Sequence, residues 1–190
     1  MKRIILASRS RARRELLRQI GLRFSVVAPK VREWKVSIGK CSDLVVRNAL
    51  RKARDVARRK TSGIVISADT VVRVGRNSVG KPRDVREALA TLKMLSRRPQ
   101  WVYTGIAVID IDQGATYTAC ERTKIWMTPM REEQIRNYFK KVSPLRLAGS
   151  FDAQGRGAIF IDRIEGCFYN VVGLPLARLA KILRKTGVEI

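Results

Sequence analysis

The sequence predicts an α/β protein built on a mixed β-sheet with helices packed against it. Short apolar runs typical of strands alternate with segments whose apolar residues repeat every three to four positions, as in an amphipathic helix. Two pairs of neighbouring strands are separated by short glycine turns, which indicates antiparallel hairpins. A chain of 190 residues can bury one sizeable core, or form two lobes that share one sheet. We therefore expect a single domain spanning residues 1–190.

Strands and helices alternate in the first half of the chain. Ile4 to Ala7 is typical of a short buried strand, and Ser10 is placed to cap a helix that Gly21 ends. A second strand is expected from Phe24 to Ala28. The next expected elements are a helix from Ser42 or Asp43 to about Lys60, a strand from Ile64 to Val74, a turn from Gly75 to Gly80, and a helix capped by Asp84 that ends before Pro99.

The second half begins with a long predicted hairpin. Its strands run from Gln100 to Asp112 and from Thr116 to Met127, around a turn at Gln113-Gly114. A helix from about Arg131 to Lys141 follows, and then a glycine-containing loop over 143–157. The last expected elements are a second hairpin formed by Ala158 to Ile164 and Cys167 to Val172 around Glu165-Gly166, and a helix opened by Pro175 that ends at Lys185.

The chain is strongly basic. Forty lysines and arginines stand against 16 acidic residues, a formal net charge of +24. Such a charge attracts polyanions, whether nucleotides, nucleic acid or an anionic membrane surface. The excess is spread along the chain, so we expect generally cationic surfaces and non-specific nucleic-acid binding. Aromatic residues make up only 6% of the chain, and the sequence shows no stacking platform for bases.

The residue types that are absent narrow the chemistry. There is no histidine, and the three cysteines lack a C-x-x-C spacing, which argues against a zinc site and a Ser-His-Asp triad. A general base must therefore be Asp, Glu, Lys, Tyr or Cys. The first apolar run is too short for a signal peptide or a membrane span, so we expect a cytoplasmic protein with no membrane partner.

The start of the first predicted helix is a candidate phosphate site. Each cation near a helix N-terminus destabilises the helix by about 0.3–1 kcal/mol, because the helix dipole is positive there, unless an anion compensates the charge. Free backbone N–H groups, hydroxyls and guanidinium groups together suit a phosphate. A solvated basic face is the alternative interpretation. The candidate ligands are Ser8, Ser10, Arg13 and Arg14.

Asp69 is the principal candidate for chemistry. It interrupts an apolar strand, where a carboxylate is costly to bury unless it is paired, hydrogen-bonded or bound to a cation. It could hold Mg²⁺ or Mn²⁺ against a triphosphate or orient a water molecule, and the alternative is a turn at a strand end. Lys52 falls on the apolar side of its helix, which predicts a phosphate or carboxylate partner.

Other candidates carry weaker signals. Lys81 could reach a phosphate as a compact charge, although Gly80-Lys81-Pro82 is also ordinary turn chemistry. Glu33 is either a second carboxylate facing a metal or a solvated side chain. Gln154 lies in a loop that offers an amide and an aromatic ring to a nucleobase. Thr104-Gly105 indicates a bulge or a close backbone approach.

Seven motifs in order resemble the Maf family, the septum-formation-inhibitor-like nucleotide pyrophosphatases, over nearly the whole chain. The motifs are Leu6-Ala7-Ser8 with Ser10, Arg13 and Glu15-Leu16-Leu17; Lys52-Ala53; Ala68-Asp69-Thr70; Gly80-Lys81-Pro82; Thr104-Gly105; Ala148-Gly149-Ser150 with Gln154-Gly155; and Tyr169-Asn170-Val171-Val172-Gly173-Leu174-Pro175.

The resemblance implies a Maf/ITPase-like fold, with two lobes around a long twisted mixed sheet and an active site in the cleft. It implies a hydrolase of acid anhydrides that cleaves nucleoside triphosphates to monophosphate and pyrophosphate with Mg²⁺ or Mn²⁺. Asp69 would activate water, and Glu33 would assist at the metal. A homodimer is left open. The triphosphate would be held by Ser8, Ser10, Arg13, Lys52 and Lys81, of which the two lysines join Asp69 as expected catalytic residues.

The base preference is less closely defined. Thr70 and Gln154 match positions that help to choose the base in relatives acting on dTTP and UTP. Ala12 stands where the dTTP/UTP branch usually has Arg and the 7-methyl-GTP branch has Trp. Arg146-Leu147 and Phe151-Asp152 replace an expected Asp-Lys and Tyr-Gly. We expect dTTP, UTP or modified nucleotides as substrates; the alternatives are a 7-methyl-GTP pyrophosphatase and a non-enzymatic nucleic-acid-binding or cell-division regulatory protein.

Overall fold

The computed structural model describes residues 2–34 and 40–190. Most of its strands and helices occur in the order that the sequence predicts. The strands are β1 (Ile4–Leu6), β2 (Ser25–Val26), β3 (Ile64–Val74), β4 (Asn77–Val79), β5 (Gln100–Asp110), β6 (Ala115–Met127) and β7 (Ile161–Glu165). The α-helices are α1 (Arg11–Gln19), α2 (Cys41–Ala57), α3 (Val85–Leu95), α4 (Glu132–Phe139), α5 (Phe168–Val172) and α6 (Leu176–Lys185).

The strands form one seven-stranded mixed sheet in the order β2-β1-β3-β5-β6-β7, with β4 paired to β3. β1 runs parallel to β2 and to β3, with Leu6 opposite Ile66. β4 is antiparallel to β3, and β7 is antiparallel to β6. A mixed sheet with helices between its strands confirms the predicted α/β fold class.

The chain divides into two compact units. The first comprises Met1–Thr70, Thr104–Glu121 and Gly173–Ile190, and the second comprises Val71–Tyr103 and Arg122–Val172. Each unit has its own hydrophobic cluster of buried residues. The cluster of the first unit is formed by Ile5, Ala7, Ala49, Ala53, Val56, Val65 and Ala107. The expected single domain over residues 1–190 stays a prediction.

The predicted N-terminus of α1 is confirmed. The Ser10 hydroxyl caps the helix by accepting a hydrogen bond from the Arg13 backbone N–H at 3.4 Å. The predicted helix α2 is confirmed, but its predicted N-cap was wrong, because the helix begins at Cys41 after Lys40 and neither Ser42 nor Asp43 is its cap. Cys41 is buried, so packing of the first turn extends the helix beyond the point that capping preferences indicate.

The predicted second hairpin was wrong. Phe168–Val172 is the helix α5 rather than a strand, and β7 pairs with β6 instead of with a second strand of this hairpin. Polar side chains replace the strand ladder here: the Thr123 hydroxyl donates to the Cys167 carbonyl oxygen at 3.1 Å. The Asn170 amide donates to the Val102 carbonyl oxygen at 3.0 Å. These side chains therefore satisfy backbone hydrogen-bonding groups that would otherwise need the ladder of a further strand.

Several boundaries also differ from the predictions. The second strand is shorter than expected, β4 occupies part of the expected turn over 75–80, and 3₁₀ turns break the expected loop over 143–157. Pro175 is the N-cap of α6 and not its first residue. In the described part of the chain, no helix has the length and apolar character of a membrane span.

Gly105 lies where β5 meets the backbone of α2. A Cβ built on Gly105 would lie 2.4 Å from both the carbonyl carbon and the carbonyl oxygen of Val45. Backbone atoms cannot move aside as a flexible side chain can. The structure therefore confirms the close backbone approach that the sequence predicts at this glycine.

A Gly105→Ala variant is expected to lose roughly 2–3 kcal/mol of unfolding free energy, because the added methyl overpacks the β5–α2 contact. Urea unfolding followed by circular dichroism measures the loss. Gly80→Ala is the matched control, since a Cβ at Gly80 meets no atom of the described chain within 4 Å. Equal unfolding midpoints for the two variants would contradict the prediction.

Candidate active site

Asp69 lies inside β3 and is buried. Its Oδ1 accepts a hydrogen bond from Lys52 Nζ at 2.8 Å, and its Oδ2 accepts one from Asn48 Nδ2 at 3.0 Å. The alternative of a turn at a strand end is therefore wrong. The carboxylate is held by a charged donor and a neutral donor, which is what a buried ionised group requires.

Lys52 projects from the buried face of α2, as the sequence predicts. Besides Asp69, its Nζ binds Glu33 Oε1 at 3.0 Å. The Glu33 side chain is 55% exposed, whereas the side chains of Lys52 and Asp69 are 5% and 6% exposed. One ammonium group thus joins a buried carboxylate to a solvent-accessible one.

Asn48 is a site residue that the sequence analysis missed. Its side-chain amide donates to the Trp34 carbonyl oxygen at 3.0 Å, and its Oδ1 accepts from the Trp34 backbone N–H at 2.9 Å. Because the same amide donates to Asp69, Asn48 fixes the segment that carries Glu33 beside the buried carboxylate. The available signal was a polar residue one helical turn before Lys52 on the buried face of α2.

Arg13 connects three segments of the first unit. Its Nε donates to the Gly173 carbonyl oxygen at 2.8 Å, and its Nη2 donates to Thr70 Oγ1 at 2.9 Å. The Thr70 hydroxyl in turn shares a hydrogen bond of 2.9 Å with Thr104 Oγ1. The guanidinium group is therefore held in one orientation at the N-terminal turn of α1.

The electrostatic surroundings of Arg13 place it among the same carboxylates. Burial lowers the pKa of the Arg13 guanidinium, whereas the charges of Asp69 and Glu33 raise it. Opposite charges raise the pKa of a guanidinium in this way when they lie nearby. Arg13, Lys52 and the two carboxylates therefore form one charged cluster.

The remaining candidates on α1 surround its N-terminus. Ser8 is buried, and its Oγ accepts from the Ser10 backbone N–H at 3.1 Å and from Arg13 Nη1 at 3.5 Å. Arg14 Nε is buried and finds no hydrogen-bond partner among the described residues. Ala12 is half-buried and offers no polar atom beyond its backbone. A buried donor without a partner at a helix N-terminus is expected where an anion binds and accepts its hydrogen bond.

Lys81 and Gln154 belong to the second unit, and their part in the site stays a prediction. Both side chains are exposed. The Gly149 N–H donates to the Gly80 carbonyl oxygen at 3.3 Å, which ties the segment of Lys81 to the Ala-Gly-Ser motif.

The loop that carries Gln154 is ordered by Asp152, one of the departures from the family pattern. Tyr138 donates its hydroxyl to Asp152 Oδ1, and the Gly157 backbone N–H donates to the same oxygen at 2.7 Å. Burial raises the pKa of Tyr138 above its ordinary value, and the hydrogen bond to Asp152 adds to the effect. The phenol therefore stays a donor at neutral pH.

The two carboxylates fit a divalent cation that arrives with a triphosphate. Asp69 and Glu33 both bind one ammonium nitrogen, so both lie within reach of a single cation. Mg²⁺ typically takes one or two carboxylates together with substrate phosphates. Among the described residues there is no group of three or more acidic or cysteine side chains that would form a metal site without substrate.

A basic helix N-terminus beside a buried carboxylate–lysine pair, on a mixed α/β sheet, is an arrangement suited to binding phosphate groups. Residues 3–186 match the family model described as Maf, a Maf-like protein. The chain belongs to the Maf family, as the seven sequence motifs predict.

Similar proteins cover the chain from end to end. The dTTP/UTP pyrophosphatase of Methanosarcina mazei is 47% identical over 191 residues, which span 100% of this chain and 97% of that protein. The dTTP/UTP pyrophosphatase of Carboxydothermus hydrogenoformans is 42% identical over 185 residues, 97% of this chain and 99% of that protein. Among solved structures, that of the Staphylococcus aureus Ham1 protein is similar to this chain with a TM-score of 0.47 and 16% sequence identity. The superposed region covers 67% of this chain and 72% of the Ham1 chain.

Proposed function

We propose that the protein is a nucleoside triphosphate pyrophosphatase that hydrolyses dTTP and UTP to the monophosphate and pyrophosphate. The observation that carries the proposal is the buried Asp69, held by Lys52 and Asn48 in one charged cluster with Arg13. The full-length relatives named dTTP/UTP pyrophosphatase, at 42% and 47% identity, support the reaction and the substrates.

The triphosphate binds through the cations and free donors of the cluster. The N-terminus of α1 offers backbone N–H groups, the hydroxyl groups of Ser8 and Ser10, and the guanidinium groups of Arg13 and Arg14. Lys52 and Lys81 add compact charges. Donors that are already fixed in place stabilise negative charge that develops on phosphoryl oxygens without first reorganising.

Asp69 accepts the proton of the attacking water. Each carboxylate oxygen receives one N–H hydrogen bond, and an ionised carboxylate has further lone pairs to receive a proton from water. The water oxygen bonds to the α-phosphorus, the bond between that phosphorus and the bridging oxygen breaks, and pyrophosphate leaves with the bond's electron pair. The absence of histidine from the chain agrees with a carboxylate as the base.

Asp69 and Glu33 would hold the divalent cation, Mg²⁺ or Mn²⁺. When bound, such a cation supplies Lewis-acid neutralisation of the phosphate charge. Lys52 keeps both carboxylates oriented towards the same point. Activity is therefore expected to disappear when EDTA removes divalent cations and to return when Mg²⁺ or Mn²⁺ is added in excess.

Thr70 and Gln154 are the proposed base-selecting residues. Ala12 is a third candidate, at the position where the dTTP/UTP branch of the family usually has Arg and the 7-methyl-GTP branch has Trp. Thr70 is fixed by Arg13 and Thr104, and Gln154 is exposed on a loop that Asp152 orders. The test is a panel of common and modified nucleoside triphosphates, with release of pyrophosphate and of monophosphate measured for each. We expect dTTP and UTP to have the highest kcat/KM. A preference for 7-methyl-GTP, or no pyrophosphate from any nucleotide with either metal, would overturn the proposal.

An Asn48→Leu variant tests the positioning of Asp69. Leucine has a similar volume but cannot bond Trp34 or Asp69, so the segment of Glu33 loses its anchor and Asp69 loses one donor. We expect kcat to fall about tenfold or more, the range seen when a positioning contact in an active site is lost. Leu44→Ala, on a more exposed position of the same helix, is the control and should retain kcat. Wild-type kcat in the Asn48 variant would contradict the positioning role.

A cytoplasmic location completes the proposal. All three cysteines, Cys41, Cys120 and Cys167, are free thiols. Free cysteines are typical of a reducing compartment. Burial raises the pKa of the Cys120 thiol to about 11, which keeps it protonated and unreactive at neutral pH.

A further inference from the structure

One face of the sheet in the second unit lies opposite that unit's core. The hydrophobic cluster includes Val102 of β5 together with Ile125 and Met127 of β6. Because side chains alternate along a strand, the neighbouring residues Trp101 and Trp126 point to the other face. Both tryptophans are only partly buried, so this face is accessible to solvent.

This face carries cations stacked on indole rings. Arg122 Cζ lies 4.4 Å from the centroid of the Trp101 ring, and Arg163 Cζ lies 4.2 Å from the centroid of the Trp126 ring. Lys124 Nζ lies 5.5 Å from the Trp101 centroid and 4.5 Å from the Trp126 centroid. We call these five residues the cation–aromatic face.

The concentration of these contacts is unusual. Significant cation–π contacts occur about once per 70–80 residues, so a chain of this length should have two or three in total. Here four fall on two rings of one face, contributed by β5, β6 and β7. Glu165 lies on this face, where it binds Arg163 at 3.0 Å and is the strand-register partner of Lys124. The five residues of the face carry three positive charges, and Glu165 binds one of them.

We propose that the cation–aromatic face binds single-stranded nucleic acid. The indole rings hold the cations in place, so that phosphates can bind them with little further loss of side-chain freedom. Both rings are partly exposed, and their exposed parts offer contact surfaces to unpaired bases. The bases of a duplex are stacked on one another and cannot also stack on the indole rings. A face that combines rings with cations therefore favours a single strand. The proposal is separate from the pyrophosphatase proposal, because none of the five residues of this face belongs to the proposed active site.

The charge contribution is tested with two charge-matched double variants. Binding of fluorescein-labelled dT12 and rU12 is measured by anisotropy at 0.2 M NaCl, where diffuse counterion effects are reduced. Lys124→Gln/Arg163→Gln is expected to weaken binding tenfold or more. Arg54→Gln/Arg58→Gln removes the same charge from two exposed positions, one in the last turn of α2 and one at its C-cap, and should weaken binding less than threefold. Equal weakening by the two double variants would overturn the proposal, because it shows diffuse attraction to a basic protein.

The stacking contribution is tested first with the face unchanged and then with one of its tryptophans replaced. The chain has three tryptophans, so Trp34→Phe leaves Trp101 and Trp126 as the only indole reporters. Saturating dT12 is expected to quench their fluorescence by a third or more, and a 12-base-pair duplex is expected to quench it much less. Trp126→Leu should weaken dT12 binding about fivefold or more, the lower end of the loss for one stacked base.

Controls separate folding and other partners from the proposed role. Retained release of pyrophosphate shows that each variant of the face is folded, since none of these residues belongs to the proposed active site. An unquenched signal at saturating dT12 would overturn the proposal even if a variant failed to fold. Binding to vesicles with anionic lipid, together with no dT12 binding at 0.2 M NaCl, would assign the face to a membrane surface instead.

Discussion

An Asp69→Asn variant is expected to lose at least 100-fold in kcat while still binding nucleotide. Asparagine cannot accept a proton from water, and loss of a general base typically costs 10²–10⁴-fold. The fold should survive, because the amide oxygen can still accept from Lys52, and Lys52 keeps its ion pair with Glu33. The affinity for Mg²⁺ or Mn²⁺ should fall as well, since one of the two candidate carboxylates becomes neutral.

The measurement is the rate of pyrophosphate release at saturating dTTP, with nucleotide affinity determined separately by calorimetry. Asp110→Asn provides the matched control. Asp110 is also a fully buried aspartate paired with a lysine, Lys2, at 2.8 Å, but it lies at the end of β5 outside the charged cluster. We expect this control to lose stability but not kcat. Near-wild-type kcat in Asp69→Asn would remove Asp69 from the mechanism.

Features that depend on neighbouring residues were predictable from the sequence. The Ser10 cap follows from local capping chemistry, and its partner Arg13 is only three residues away. Asp69 and Lys52 were found because each breaks the apolar pattern of its own strand or helix. A charged residue on a buried face needs a partner wherever that partner lies, so the need was visible even though the contact was not.

Features that depend on distant residues could not be predicted in the same way. Asn48 acts through Trp34, 14 residues before it, and Asp69, 21 residues after it. The second hairpin was misassigned because the bonds of Asn170 to Val102 and Thr123 span 68 and 47 residues and favour a short helix. The cation–aromatic face was missed for the same reason, because Trp101 and Trp126 are distant in sequence and come to one face of the sheet only through strand pairing.

A Lys52→Met variant is expected to lose both stability and activity. Methionine fills the buried space but leaves Asp69 with Asn48 as its remaining described donor. Removing one partner of a buried ion pair costs about 3–5 kcal/mol, because the other charge remains buried without compensation. At the same time the triphosphate loses a cation and Glu33 loses its link to Asp69, so kcat/KM should fall at least 100-fold.

Urea unfolding of a double-mutant cycle distinguishes this mechanism from a loss of packing. If the cost comes from the uncompensated charge of Asp69, the Lys52→Met/Asp69→Asn double variant should be more stable than Lys52→Met alone, while remaining inactive. Lys2→Met is the control. It also removes the lysine partner of a buried aspartate, Asp110, but the Lys2 side chain is more accessible than that of Lys52, with 29% of it exposed. It should retain kcat/KM. If the double variant is no more stable than the single one, the stability of this site depends on the packing of the Lys52 side chain rather than on its charge.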